Sequence, residues 1–275
     1  MHFVVKKSFQ NLFPHRTVSD ICSAIQTPYD FRPVAIVKSC YKAKFGIPRQ
    51  PGLISEARGS IRLLPPCNQP NTVRGLEDFS HIWVLFVFHE ALRETWKATV
   101  RPPRLGGDAR VGVFASRSPF RPCPIGLSVV KLEKIILGGH GKISLEVSGL
   151  DLLDGTPVLD IKPYLPYTDS IPDAKSGFAP EAPDAQALQV RLSPKAEEQF
   201  AVLNRAGRQD LVTLAQKVIA ADPRPAYQRI PERNYSIFLE GFEILWKTGI
   251  QPGQAEILEI RRISTAAPAI EGEIP

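Results

Sequence analysis

The sequence predicts a mainly β protein, an antiparallel barrel or sandwich followed by a small α+β domain. Three observations carry this. Short runs rich in β-branched and aromatic residues are divided by turn residues, no regular alternation with helical patterns accompanies them, and the hydrophobic period changes after a Pro-, Ala- and Asp-rich stretch at 172–183. Residues 34–39 read as the first strand and 59–64 as the second, closed by Pro65 and Pro66. The run 81–89 (HIWVLFVFH) is almost wholly apolar and aromatic, as expected for a strand buried on both faces. Runs at 111–115, 126–136 and 142–147 continue the series, and 158–162 closes it. Beyond the linker, Ser193 and Pro194 open a helix by cap and first-turn chemistry, with Glu197 and Glu198 in its first turn. Leu211, Leu214, Ala215 and Val218 mark one face of a second helix, which Asp222-Pro223-Arg224-Pro225 stops. Stretches 235–246 and 255–262 read as a terminal hairpin. The expected division is an extension at 1–33, a β domain at 34–170, a linker at 171–184, an α+β domain at 185–265 and a tail at 266–275.

Composition limits the classes available. With 275 residues, 43% of them hydrophobic, the chain can bury one full core and a smaller second one. No apolar run approaches the roughly 20 residues that span a bilayer. Residues 1–13 contain Lys6 and Lys7 but lack the apolar core and small-residue cleavage site of a signal peptide. A soluble, cytoplasmic protein with no membrane partner is expected. Cys22, Cys40, Cys67 and Cys123 are scattered without a Cys-x-x-Cys pair, so they read as reduced thiols and no metal is expected. Charge is uneven: residues 1–170 hold 22 Lys+Arg against 14 Asp+Glu, a balance of +8, and the remainder hold 12 against 14, a balance of −2, giving the net +6. A basic β domain favours polyanions through phosphate contacts and counterion release.

The stretch 101–126 is dense in Arg, Gly and Pro. Glycines let backbone approach a ligand, prolines stiffen the loop, and arginines present fixed donor forks to anions. Arg117 and Arg121, with Phe114 and Phe120 beside them, combine carboxylate or phosphate contacts with a stacking face. Composition alone leaves an anion-binding loop and a solvated turn equally open. The glycines form neither a dinucleotide fingerprint nor a phosphate-binding loop, which disfavours a doubly wound nucleoside site.

Five segments in order, Pro48-Arg49-Gln50-Pro51-Gly52-Leu53, Arg74-Gly75-Leu76-Glu77, 101–107, 112–126 and 151–164 (DLLDGTPVLDIKPY), resemble the TsaA-like family over residues 34–169. The stretch Asp222-Pro223-Arg224-Pro225-Ala226-Tyr227 is similar to a segment of its bacterial members. The resemblance implies a single-sheet β-barrel that forms homodimers, with S-adenosylmethionine as co-substrate bound between the subunits. It also implies an activity: methylation of N6 of N6-threonylcarbamoyladenosine next to the anticodon of tRNA. Carried over by motif, Pro51, Gly52 and Leu53 line the donor pocket, with His89 and Glu90 at the end of the apolar run. Arg117, the backbone near Val129, and Leu150, Asp151, Leu152 and Leu153 complete it.

An N6 nitrogen bearing a carbonyl substituent is a poor nucleophile with a comparatively acidic proton, so a base or an anion-stabilising cation assists transfer. Asp160, Lys162 and Tyr164 alternate along one expected strand and are candidates for that chemistry, with Arg121 or Arg117 pairing the threonyl carboxylate. Arg101, Arg104, Arg224, Tyr227, Arg229 and Arg233 are the candidate tRNA contacts. Two other classes remain open from sequence: a non-catalytic RNA-binding barrel, and a methylase of a different acceptor.

Overall fold

The structure, a computed structural model, describes residues 30–106, 109–139, 141–224, 233–249 and 251–263. The barrel and the C-terminal sheet lie in one compact unit that begins at Val34. Six strands close the barrel: β1 (Ala35–Ser39), β2 (Arg58–Leu63), β3 (His81–Val87), β6 (Ile125–Gly138), β7 (Lys142–Ser148) and β8 (Pro157–Pro163). Their order around it is β1-β2-β7-β6-β3-β8, and every adjacent pair is antiparallel. Closure leaves no free edge, so each backbone ladder is satisfied within the sheet. Val37, Ile61, Val84, Leu145 and Val158 fill the interior. Gly126 on β6 faces Phe86 on β3, and a Cβ there would meet the Phe86 ring at 2.3 Å. The ring therefore occupies the space that glycine leaves.

Between β3 and β6 the two-residue strands β4 (Thr99–Val100) and β5 (Val111–Gly112) pair, and 3-10 turns form at His89–Ala91, Pro103–Leu105 and Val113–Ala115. The short helix α1 (Pro166–Asp169) follows β8. No helix or strand lies between Asp169 and Gln189. A four-stranded sheet then forms from β9 (Gln189–Leu192), β10 (Asn234–Leu239), β11 (Phe242–Thr248) and β12 (Gln254–Arg262), in the order β10-β11-β12-β9. Helices α2 (Pro194–Arg205) and α3 (Gln209–Ala220) belong with this sheet. The Ser193 hydroxyl accepts from the Ala196 N–H at 3.2 Å and caps α2 as the sequence indicates. Leu211, Leu214, Ala215 and Val218 are buried, as their spacing indicates. The chain after β1 covers the edge of β10: the Lys42 N–H donates to Phe238 O at 3.0 Å and the Glu240 N–H to Cys40 O at 2.9 Å.

Four expectations are corrected. The run 81–89 is not buried on both faces: Ile82, Val84 and Phe86 point inward, while Trp83, Leu85 and Val87 lie half-buried on the outer face. Only Val111–Gly112 of 111–115 is strand, because residues 113–115 turn into a 3-10 helix. Stretch 235–246 is two strands, since Glu240 and Gly241 both adopt positive φ (49° and 85°) and reverse the chain. The terminal unit is thus three antiparallel strands, joined by the unforeseen β9 running parallel to β12.

Candidate functional site

The loops at one end of the barrel meet at two glycines. Gly52, in the left-handed region at φ 78°, donates its N–H to Gly149 O at 2.8 Å. Gly149 has φ 69°, and a Cβ there would lie 3.4 Å from the Gly52 Cα. Side chains at either position would strain the backbone or part the two strands of loop, so small residues are required. This contact brings the expected donor residues Pro51, Gly52 and Leu53 to Leu150 and Asp151. Leu150 and Leu152 are buried, so they offer backbone rather than side chains to a ligand. Leu153 O accepts from the Thr156 hydroxyl at 2.7 Å, which fixes the turn that follows.

Asp151 supplies the charge of this end. The Ser128 hydroxyl donates to its Oδ1 at 2.6 Å. Burial pushes the carboxyl up to about 6, against the opposing pull of that hydrogen bond and of Arg117. Arg117 in turn donates from Nη1 to Gln50 Oε1 at 2.6 Å. Gln50, Arg117, Asp151 and Ser128 therefore join the arginine-rich loop, the Gly52 turn and the barrel interior. Gln50 and Ser128 were not among the residues singled out from sequence. Gln50 stood within a quoted motif, whereas nothing local marks Ser128, a small residue in an apolar strand.

His89 and Glu90 form a single 3-10 turn with Ala91 after β3. The Glu90 carboxylate pairs with Lys44 Nζ at 3.2 Å, and the same ammonium donates to Glu90 O at 2.7 Å. This ties the chain after β1 to the expected donor segment. Beneath the Gly52 turn lies a cleft of about 490 Å³, lined by Leu53, Ser55, Glu56, Leu188 and Lys217 among others. Lys217 of α3 pairs with Glu56 across it.

The remaining expected residues divide. Val129 directly follows Ser128, so its backbone lies beside the partner of Asp151, while its side chain takes the outer face of β6, beside the exposed Leu127 and Ile125 and opposite Trp83. Asp160 and Lys162 share the outer face of β8 and pair with each other at 2.8 Å. A register shift at Leu159 sets this phase: Asp160 lies opposite Leu85 and Val158 opposite Phe86. Tyr164 stands one residue beyond the strand, against His81 and Trp83, with ring centroids 6.4 and 5.9 Å apart. Lys162 lies opposite Trp83, which lies opposite Val129, so it stands two strands from Ser128 but on the outer face of the barrel. Asp160, Lys162 and Tyr164 thus project from the outer face of the sheet, whereas Ser128, which bonds Asp151, is buried.

Arg121 donates to Ser116 O at 3.2 Å and faces the Phe114 ring at 5.9 Å. Arg101 is exposed, and Arg104 is exposed with a hydrogen bond to Glu181 O. Arg224 is corrected: it is 7% exposed, and its guanidinium holds both Asp222 oxygens, at 2.6 and 3.0 Å. It faces Tyr235 at 5.8 Å, and its carbonyl accepts from Arg49 at 3.4 Å. A guanidinium so enclosed organises the turn and offers no free cation to RNA. Arg233 is exposed beside Tyr235, while Tyr227 and Arg229 lie outside the described residues. Among the described residues no cluster of three His, Cys, Asp or Glu could hold a metal ion, and no helix is long and apolar enough to cross a membrane.

Comparison with known proteins bears on the same segments. Residues 36–170 match the tRNA-methyltransferase O N-terminal domain, and residues 185–263 match the TrmO C-terminal domain. An Escherichia coli K12 protein named tRNA (adenine(37)-N6)-methyltransferase is 47% identical over 221 residues, covering 80% of this chain and 93% of the relative. A Pseudomonas aeruginosa protein named as a putative S-adenosylmethionine-dependent methyltransferase is 46% identical over 215 residues, covering 78% and 90%. The crystal structure of TrmO from Pseudomonas aeruginosa superposes with a TM-score of 0.70 at 37% identity, covering 86% of this chain and 99% of that one.

Proposed function

This chain belongs to the TrmO family, and from that premise we propose that it transfers a methyl group from S-adenosylmethionine to N6 of an adenosine next to the anticodon of tRNA. The observation that carries the reading is the meeting of Gly52, Gly149, Asp151, Arg117 and Ser128 at one barrel end, on segments that match the family. These groups fit the donor. Arg117 suits a carboxylate, Asp151 suits an ammonium or a hydroxyl, and close-packed backbone at Gly52 and Leu150–Leu153 suits a flat heterocycle. When bound, the donor supplies an electrophilic methyl on a sulfonium. The task of the chain is then alignment, plus removal of the N6 proton as the new N–C bond forms.

The preferred acceptor in this reading is N6-threonylcarbamoyladenosine, with Arg121 facing its carboxylate. Asp160, Lys162 and Tyr164 act from the outer face of the barrel, as base and as carbonyl-polarising groups. In this reading they reach the donor of a second chain rather than that of their own. The exposed Ile125 and Leu127, with half-buried Val129, Trp83 and Leu85, form an apolar stripe beside them that a second copy would cover. A homodimer with donor sites at its interface therefore supports both residue sets. In the same proposal residues 34–170 form the catalytic domain, 171–184 a linker, and 185–265 a tRNA-contacting domain through Arg233, Tyr227 and Arg229. Cytoplasmic work accompanies the substrate.

The test is mass spectrometry of tRNA nucleosides from a strain lacking the chain. Loss of the methylated threonylcarbamoyl nucleoside, restored by the wild-type chain, is the expected result. Persistence of that nucleoside overturns the reading and favours another acceptor.

A further inference from the structure

We infer that the loop segment between β3 and β6 is a stacking platform for unpaired RNA nucleotides flanking the methylated base, an inference that rests on the tRNA reading above. Three large rings stand in solvent there: Phe114 is 77% exposed, Trp96 52% and Phe120 42%. Apolar groups grouped on a surface mark a binding face more often than scattered ones do. The pairing of β4 with β5 sets the chain segments of Trp96 and Phe114 side by side. Thr99 lies opposite Gly112, and the Val113 N–H donates to Ala98 O at 2.9 Å, which carries the chain at Trp96 alongside Phe114.

Each exposed phenylalanine is matched by a guanidinium. Arg93 Cζ lies 4.0 Å from the Phe120 ring centroid, and Arg121 Cζ lies 5.9 Å from that of Phe114. Phe120 and Arg121 are chain neighbours, so Arg93, Phe120, Arg121 and Phe114 alternate cation and ring. Among the described residues neither Arg93 nor Arg121 has an acidic partner. Residues 92–121 carry seven Lys+Arg against two Asp+Glu.

This chemistry selects its partner. Splayed bases stack on rings and on guanidinium planes, while their phosphates meet the surplus positive charge. A purely apolar protein face would bury unpaired arginines at high cost, and a second copy of this segment would bring the same positive charge against it. Arg117, bonded to Gln50 beside the Gly52 turn, sits midway in sequence between Phe114 and Phe120. Nucleotides stacked here are thus held next to the donor end.

The experiment uses the full chain with tRNA and S-adenosylmethionine. The double variant Phe114→Ala/Phe120→Ala should raise KM for tRNA about tenfold or more, the size of a lost base–ring stack, with kcat and the donor Kd little changed. Tyrosine at both positions keeps a stacking face and should restore KM. An unchanged KM in the alanine variant, while the wild type methylates tRNA, overturns the platform and leaves the methyltransferase reading intact. Failure of the wild type to methylate any tRNA overturns that reading instead, and the platform with it. Conversion of the alanine variant to a monomer in sedimentation assigns the face to a second copy and also overturns the platform.

Discussion

At the residue scale, Asp151 is the group whose chemistry departs furthest from its solution behaviour within the site. Burial raises its carboxyl from 3.8 to about 6, so it is neutral in mild acid and anionic at physiological pH. Two consequences follow, with opposite signs. Donor affinity that depends on the anion should fall as pH drops below about 6, and Asp151→Asn should bind the donor weakly at every pH, without that dependence. Stability runs the other way. A carboxyl with a raised folded pKa stabilises fully below the unfolded value near 4, and the contribution is lost as pH rises through about 6. Asp151→Asn cannot ionise, so relative to wild type it gains stability across that window, by roughly 3 kcal/mol at most. Urea unfolding of both proteins at pH 4, 6 and 8 measures the gain. An equal difference at all three would show that the Asp151 charge is not buried in the folded chain.

At the element scale, the turn after α3 is held by a side chain that sequence alone casts as an RNA contact. Asp222 sits at φ 47°, a strained position for a residue with a Cβ, and pairs with the buried Arg224. Removing the carboxylate leaves an enclosed guanidinium without its anion. Asp222→Ala should therefore cost about 3–5 kcal/mol, whereas the exposed Arg233→Ala should stay within about 0.5 kcal/mol. Comparative chemical denaturation decides it. If instead Arg233→Ala destabilised as much as Asp222→Ala, the burial assigned to the pair would be wrong. Because Arg224 O accepts from Arg49 beside Gln50, loosening this turn should also weaken donor binding.

At the scale of the whole molecule, the donor end and the outer face of β8 hold the two halves of the proposed chemistry. In the proposed homodimer each site takes one half from each chain. Arg117→Ala and Lys162→Ala should each abolish most turnover as separate homodimers. Co-expressed, they should form mixed dimers in which one of two sites keeps both groups, and activity should return in part. Methyl transfer by a purified mixed dimer is the measurement. No recovery would place Lys162 within the same chain's site, or outside the chemistry.

Much of this was legible in the sequence. Strands β1, β2, β6, β7 and β8 announce themselves because runs of β-branched and apolar residues end at Gly and Pro, and α2 and α3 because caps and helical spacing agree. The ordered motifs group Gly52, Asp151 and Arg117 as one expected donor pocket, and the fold brings their loops to one end of the barrel. The outward half of β3 was not legible, since Trp83, Leu85 and Val87 are as apolar as the residues that point inward, and alternation cannot show where both faces lack charge. The Glu240-Gly241 reversal lacks the Asn-Gly or Asp-Gly signal, so two strands read as one. Arg224 reads as a surface cation until tertiary packing sets Asp222 and Tyr235 around it. Sequence determined which residue types meet and in what chemistry, because spacing and propensity are local. Only the closed barrel decided that Asp160, Lys162 and Tyr164 face away from Asp151, because the phase of β8 is set by its register against β3 and by the shift at Leu159, a pairing between segments distant in sequence.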